Sequence, residues 1–243
     1  MAESYYAGAY WGIRPENVEQ CARRAVLFFS SLARSHPTFS RWYETGESRE
    51  SAPRQPIGLD EQSLSARLQA GRNRTDYGQK EMVELGFHLN LWTQEPTDTE
   101  SSGLRITCGA YAPRPGVNSC VLNLPNDGTI ADQVLQTPTL TVVIEGMVRA
   151  WQPDWAVVTS NAYQRLVPFP PSNAPRMGWL VYLSNARGAL PPLPPPLTVT
   201  SLEAGNLITV TNERFTASNP SHVDAANRLS TFLDAAGLRG PLR

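Results

Sequence analysis

Apolar side chains recur along this chain with two periods, and the alternation between them predicts its elements. Tyr5 to Trp11 runs aromatic and small by turns and reads as a strand. After a turn over Gly12–Pro15, residues Val18, Cys21, Ala22, Ala25, Phe28, Phe29 and Leu32 return at three- and four-residue spacing. That spacing predicts a helix over 15–35 with one buried stripe, Pro15 at its first position and Pro37 as its end. Residues 44–58 are polar and rich in turn formers, so they read as a loop. Asp60 is placed as the N-cap of a short helix, with Leu59 and Leu64 as a hydrophobic staple and Gly71 as the stop.

Three strands follow with period two. Phe87, Leu89 and Leu91 alternate with His88 and Asn90; Leu104, Ile106, Cys108 and Ala110 alternate with Arg105, Thr107 and Tyr111. Cys120, Leu122 and Leu124 complete the set after a turn at Pro113–Gly116. Such alternation means one covered face and one wet face, as in an antiparallel sheet. Thr137, followed by Pro138, is expected to cap a helix that buries Leu140, Val143, Ile144, Met147, Val148 and Trp151. The rest repeats this plan. Trp155–Thr159 and Trp179–Leu183 read as buried strands, and Leu197–Thr200 and Leu207–Thr211 as a pair joined around Gly205 and Asn206. A last helix is predicted over 221–237, capped at Ser221 and burying Ala225, Ala226, Leu229, Phe232, Leu233 and Ala236 before Gly237. The expectation is one α+β domain over 1–243: a mostly antiparallel sheet with helices packed on it, in two similar halves, about 1–152 and 153–243.

Composition narrows the function classes. With 243 residues, 41% of them hydrophobic and 18% charged, the chain has enough apolar surface to fold. A net charge of −1 offers no field to hold nucleic acid or an anionic membrane. No signal-peptide pattern opens the sequence, and no apolar run approaches the roughly 18 residues that span a bilayer, so a cytoplasmic protein is expected. The three cysteines, Cys21, Cys108 and Cys120, are too few and too odd for a disulfide framework and are expected as buried thiols.

Catalytic signatures are missing. The sequence has no nucleophile elbow, P-loop or dinucleotide fingerprint. His36, His88 and His222 stand alone, without His or Cys partners at metal-ligand spacing, so no catalytic, cofactor or metal residue is assigned. Pro153-Asp154 matches the opening of a nuclease Pro-Asp…Asp/Glu-x-Lys site, but Lys80, the single lysine, precedes it. Those two residues read instead as a helix end and a strand start. The segment from Leu190 to Leu197 (LPPLPPPL) is either a polyproline ligand for an aromatic groove or a rigid connector between strands.

Charge placement is more informative. Between Lys80 and Arg105 there is no basic residue, yet Glu81, Glu84, Glu95, Asp98 and Glu100 fall there. Three of these acids crowd the connection between two strands, which is either a solvated loop or an acidic prong that steers a basic partner. The candidate interface is therefore Glu95, Asp98 and Glu100, with His88 and Asn90 on the wet face of the neighbouring strand. Trp42 and Tyr43, an aromatic pair in the Arg-rich segment 41–54, are the second candidate.

The opening Ser4-Tyr-Tyr-Ala-Gly-Ala-Tyr-Trp-Gly-x-Arg14 segment and the Cys21-Ala-x-Arg24 helix resemble the immunity protein 52 family of bacterial polymorphic toxin systems. Trp151-Gln-Pro-Asp-Trp155-Ala and Pro175-Arg-Met-Gly-Trp179-Leu-Val-Tyr182-Leu183 are similar to segments of the same family, and the likeness covers most of residues 4–240. The resemblance implies a non-enzymatic protein, encoded beside a toxin with a restriction-endonuclease-like nuclease domain, that binds the toxin and protects the producing cell. It also implies delivery of that toxin by a type VI secretion system. It brings no catalytic residues. Two other readings stay open: an enzyme with an unrecognised site, and a scaffold recruiting partners through its proline run.

Overall fold

The strands expected from the alternation form, and they join in one sheet. The computed structural model describes residues 3–113, 118–168 and 173–241. Its elements run β1 (Tyr5–Trp11), α1 (Val18–Ser35), β2 (Tyr43–Glu44), α2 (Glu61–Ala70), β3 (Phe87–Trp92), β4 (Gly103–Cys108) and β5 (Asn118–Asn123). They continue as α3 (Gly128–Val134), α4 (Thr137–Trp151), β6 (Trp155–Ser160), α5 (Asn161–Leu166), β7 (Leu180–Ser184), β8 (Thr198–Leu202), β9 (Gly205–Thr209) and α6 (Pro220–Ala235). The order across the sheet is β2-β3-β4-β5-β1-β6-β7-β9-β8, antiparallel at each pairing. The chain is α+β, as its periodicity requires.

The leading strands of the two halves, β1 and β6, lie side by side at mid-sheet. Beyond them the pairing differs: β1 pairs with the last of the three strands β3–β5, whereas β6 pairs with the first of β7–β9. One continuous cluster of buried apolar residues runs through both halves.

Cover is unequal on the two faces. Helix α4 lies on β1, β6 and β7, α1 packs along α4 and α2, and α2 lies on β3. Trp11 of β1 stacks on Trp151 of α4 at 5.3 Å and 13°. Strands β6 and β7 are buried on both faces, as their unbroken apolar runs demand. Strand β3 instead keeps alternate residues accessible, so the opposite face of the first half is open.

Several boundaries move, each for a local reason. Helix α1 starts at Val18 because Asn17 and Gln20 form a capping box, and Pro15 stays outside it. The N-cap of α4 is Gln136, which puts Thr137 and Pro138 within the first turn. For α6 the cap is Asn219, whose side chain accepts from the Ser221 N–H, with Pro220 as the first helical residue. Phe232 on α6 and Ala236 at its C-cap are exposed and not core as expected. Gly205 and Asn206 belong to β9, so the turn falls two residues earlier, at Glu203 and Ala204. Helices α3 and α5 are too short to leave a period in the sequence. Most of the expected Pro113–Gly116 turn lies outside the described residues. In the proline run Leu197 is buried, and Leu190 and Leu193 pack partly buried on the core, so its leucines face inward and it straps β7 to β8. The three cysteines are buried free thiols, and Cys21 beside Cys108, with burial, pushes the Cys108 thiol well up.

Candidate partner-binding surface

The residues that carry the family resemblance turn out to be architecture. Glu16, with a side chain only 6% exposed, accepts from Arg24 Nε at 2.6 Å and lies 3.2 Å from Arg14 Nε. The same two guanidinium groups cap the end of α4: Arg14 donates to the Trp151 carbonyl and Arg24 to the Ala150 carbonyl, each at 2.8 Å. These carbonyls are ones a helix end leaves without an intrahelical donor. Asp154 pairs with Arg187 at 2.6 Å, and Arg187 in turn holds the carbonyls of Leu238 and Gly240. Trp179 is fully buried.

The three histidines are also held in place. Nδ1 of His36 accepts from the Thr38 N–H at 3.2 Å just past the end of α1. His222 is buried against Phe215, its Nδ1 accepting from the Thr216 N–H at 3.1 Å. Among the described residues no group of His, Cys, Asp and Glu is arranged to hold a metal ion.

The open sheet face has a regular chemistry. The ladders bring its side chains into three rows. Asn90, Arg105 and Val121 lie directly opposite one another across β3, β4 and β5, with Gly8 next in line. On one side is the row His88, Thr107, Ser119 and Tyr10; on the other, Tyr43, Trp92, Gly103, Asn123 and Tyr6. A groove of about 560 Å³ lies over His88, Arg105, Thr107, Ser119, Val121 and Asn123. Beyond it on β1, Tyr10 folds over Gly8, where a Cβ would sit 2.6 Å from its hydroxyl, and stacks on Trp155 at 4.2 Å. Trp92 stands in the third row, with the Arg49 guanidinium 5.0 Å from its ring.

His88 is half-buried in this groove. Its Nε2 accepts from the Asn73 amide at 2.8 Å, which leaves Nδ1 to donate to the Thr107 hydroxyl at 3.0 Å. Burial and the neighbouring Arg105 charge lower its pKa below 6.5, so the ring is a neutral, fixed hydrogen-bonding group at neutral pH.

The structure thus brings Tyr43, His88 and Asn90 onto one face and sets the acidic loop beyond its Trp92 row. The loop is tied down and does not project as a free prong. Glu95 accepts from the Thr38 hydroxyl at 2.5 Å, Arg49 pairs with Asp98 and donates to the Glu95 carbonyl, and Glu100 accepts from the Thr97 hydroxyl at 2.8 Å. Asp98, with its side chain 82% exposed, offers its charge to a partner most directly. Trp42 corrects the expectation for its pair. It is fully buried beneath the sheet, its indole N–H donating to the Phe39 carbonyl at 2.9 Å and its ring edge-on to Phe29. Only Tyr43 is accessible. Arg105, Trp92 and Asn123 were not among the sequence candidates, although Arg105 sits in the polar phase of its strand.

Comparison with known proteins agrees with this fold. The profile of the family described as Immunity protein 52 matches residues 3–242. A solved structure titled "Pseudomonas aeruginosa T6SS protein PA0821" is similar at a TM-score of 0.58 and 13% identity, covering 98% of this chain and 76% of that one, a likeness of fold. No curated protein sequence matches. No helix among the described residues is long and apolar enough to cross a membrane. With the profile spanning nearly the whole chain, this protein belongs to the immunity protein 52 family, whose members confer immunity against a toxin.

Proposed function

We propose that this chain neutralises a nuclease toxin by binding it directly, with the open face of β2–β5 as the interface and the 93–102 loop as its rim. The protein acts without catalysis, in the cytoplasm of the cell that makes the toxin, and the toxin is one delivered by a type VI secretion system. The observation that carries this reading is the row of Asn90, Arg105 and Val121 between the rows that hold Trp92 and Tyr10. Firm polar groups among accessible aromatic rings are what the centre of a protein interface needs, because rings supply area and fixed hydrogen-bonding groups supply register. The chain also belongs to a family that acts on protein toxins. A nuclease must present basic surface to phosphates, and Glu95, Asp98 and Glu100 at the rim match such a surface in sign.

The test mixes the purified chain with the purified toxin domain encoded beside it and follows both complex formation and DNA degradation. A one-to-one complex that abolishes degradation is the expected result. A complex with a toxin whose activity is not nucleolytic removes the nuclease part of the reading, and the absence of any complex removes direct binding.

A further inference from the structure

We infer that Arg105 is the central recognition residue of this face and that it takes a carboxylate side chain presented by the toxin. The inference rests on the open face being the toxin interface and deepens that reading by naming the chemistry at its centre.

Arg105 projects from mid-β4, exposed, in the middle row. Its direct neighbours across the strands are Asn90 and Val121, and among the described residues its side chain makes no ion pair or hydrogen bond. The groove it lines contains no carboxylate, and its other titratable group, His88, is neutral. Elsewhere the guanidinium groups of this chain are commonly engaged: those of Arg14, Arg24, Arg49, Arg67, Arg187 and Arg239 all pair with acids.

A guanidinium in that position constrains whatever covers it. A surface closing on the groove strips water from Arg105, and a desolvated, unmatched charge costs several times what a rim charge contributes. A carboxylate satisfies it best, because its two oxygens meet the planar fork in a bidentate pair. The Asn90 amide directly across the ladder, on the same face, stands within reach of the same group or the peptide beside it. Nucleic acid fits poorly. One cation in the groove neutralises a single phosphate, whereas binding a strand requires several, and the whole chain carries −1.

The experiment measures the affinity of the purified toxin domain for the wild-type chain and for Arg105→Gln, Arg105→Lys and Arg105→Glu, with melting temperature as the fold control. The residue is exposed, so all three variants are expected to fold. Arg105→Gln should weaken binding by about tenfold or more and Arg105→Glu by about a hundredfold or more, with Arg105→Lys between wild type and Gln. A scan of Asp and Glu to Arg in the toxin should then yield one reversal that restores binding to Arg105→Glu. Binding by Arg105→Glu within about twofold of wild type would overturn the inference while leaving the immunity reading intact. So would a loss that no toxin reversal repairs, or Arg105-dependent binding of a single-stranded oligonucleotide. A wild-type chain that binds no toxin overturns the immunity reading, and this inference with it.

Discussion

Trp42 and Tyr43 are neighbours in sequence and lie on opposite sides of the sheet, so truncating each separates stability from binding. Trp42 is wholly inaccessible, is flanked by Phe39 at 6.2 Å and Phe29 at 5.7 Å, and donates its indole N–H to the Phe39 carbonyl. Trp42→Ala removes that burial, leaves a cavity between α1 and β2, and strands an acceptor. The expected cost is about 3–5 kcal/mol, typical of an aromatic truncated in a core. Tyr43→Ala removes an accessible ring opposite Trp92 and should cost about 1 kcal/mol or less. Urea unfolding followed by tryptophan fluorescence gives both values, and toxin affinity is read under conditions where each variant is folded. Tyr43→Ala is expected to weaken the complex several-fold, whereas folded Trp42→Ala should bind almost as wild type. A destabilisation by Trp42→Ala below about 1 kcal/mol, or a larger one by Tyr43→Ala, would refute the assignment of the two rings to core and face.

Three further outcomes follow from the same geometry. Glu16→Ala leaves two partly buried guanidinium groups without their shared acid and should destabilise the fold by about 2–3 kcal/mol, below the full cost of a buried pair because both arginines are about a quarter exposed, with toxin affinity of the folded protein unchanged. Native His88 holds its proton less tightly than in the unfolded chain, so the unfolded state binds more protons just below pH 6.5; stability should fall as pH drops through that region, and His88→Gln should flatten the profile measured by thermal melts. Changing Glu95, Asp98 and Glu100 together to Ala should slow toxin association and flatten its salt dependence in stopped-flow traces, since rim charges act mainly on encounter; unaltered association at low ionic strength would make the loop a structural clip held by Arg49 and Thr38.

How much of this was legible in the sequence depends on what each signal measures. Period two in Phe87–Leu91 and Leu104–Cys108 reports burial on one side, so it gave both the strands and the wet face that holds His88 and Asn90. The unbroken runs at Trp155 and Leu180 gave strands covered on both sides. Periodicity says nothing of partners, and there the reading failed. Trp42 looked stranded in a polar loop because its neighbours in the core, Phe29 and Phe39, belong to elements that meet it only after folding. The acids at 95–100 looked free because Arg49 and Thr38, which hold them, are about fifty residues away. The motif arginines Arg14 and Arg24 marked a helix end that lies over one hundred residues downstream.

What separates a binding face from a merely solvated one is the state of its charges. A solvated sheet face can carry any polar residue, and alternation alone does not distinguish the two. Many charges on this molecule are settled internally: Glu16 between two arginines, Asp154 with Arg187, Glu44 with Arg67, and even the exposed Asp98 with Arg49. At the centre of the open face Arg105 has no acid beside it across the strands, and His88 is held neutral partly by the Arg105 charge. Mid-strand placement fixes the backbone under Arg105 on both sides, and the Asn73–His88–Thr107 chain stiffens one flank. A charge left unmatched in a rigid setting gains little for the isolated fold, because its hydration is already complete. Its effect appears when something covers it, and then the effect is to admit a partner that brings a carboxylate and to penalise one that does not. On the proposed reading the face contributes selectivity between toxins, and the aromatic rings in the rows on either side contribute the area that makes the complex tight.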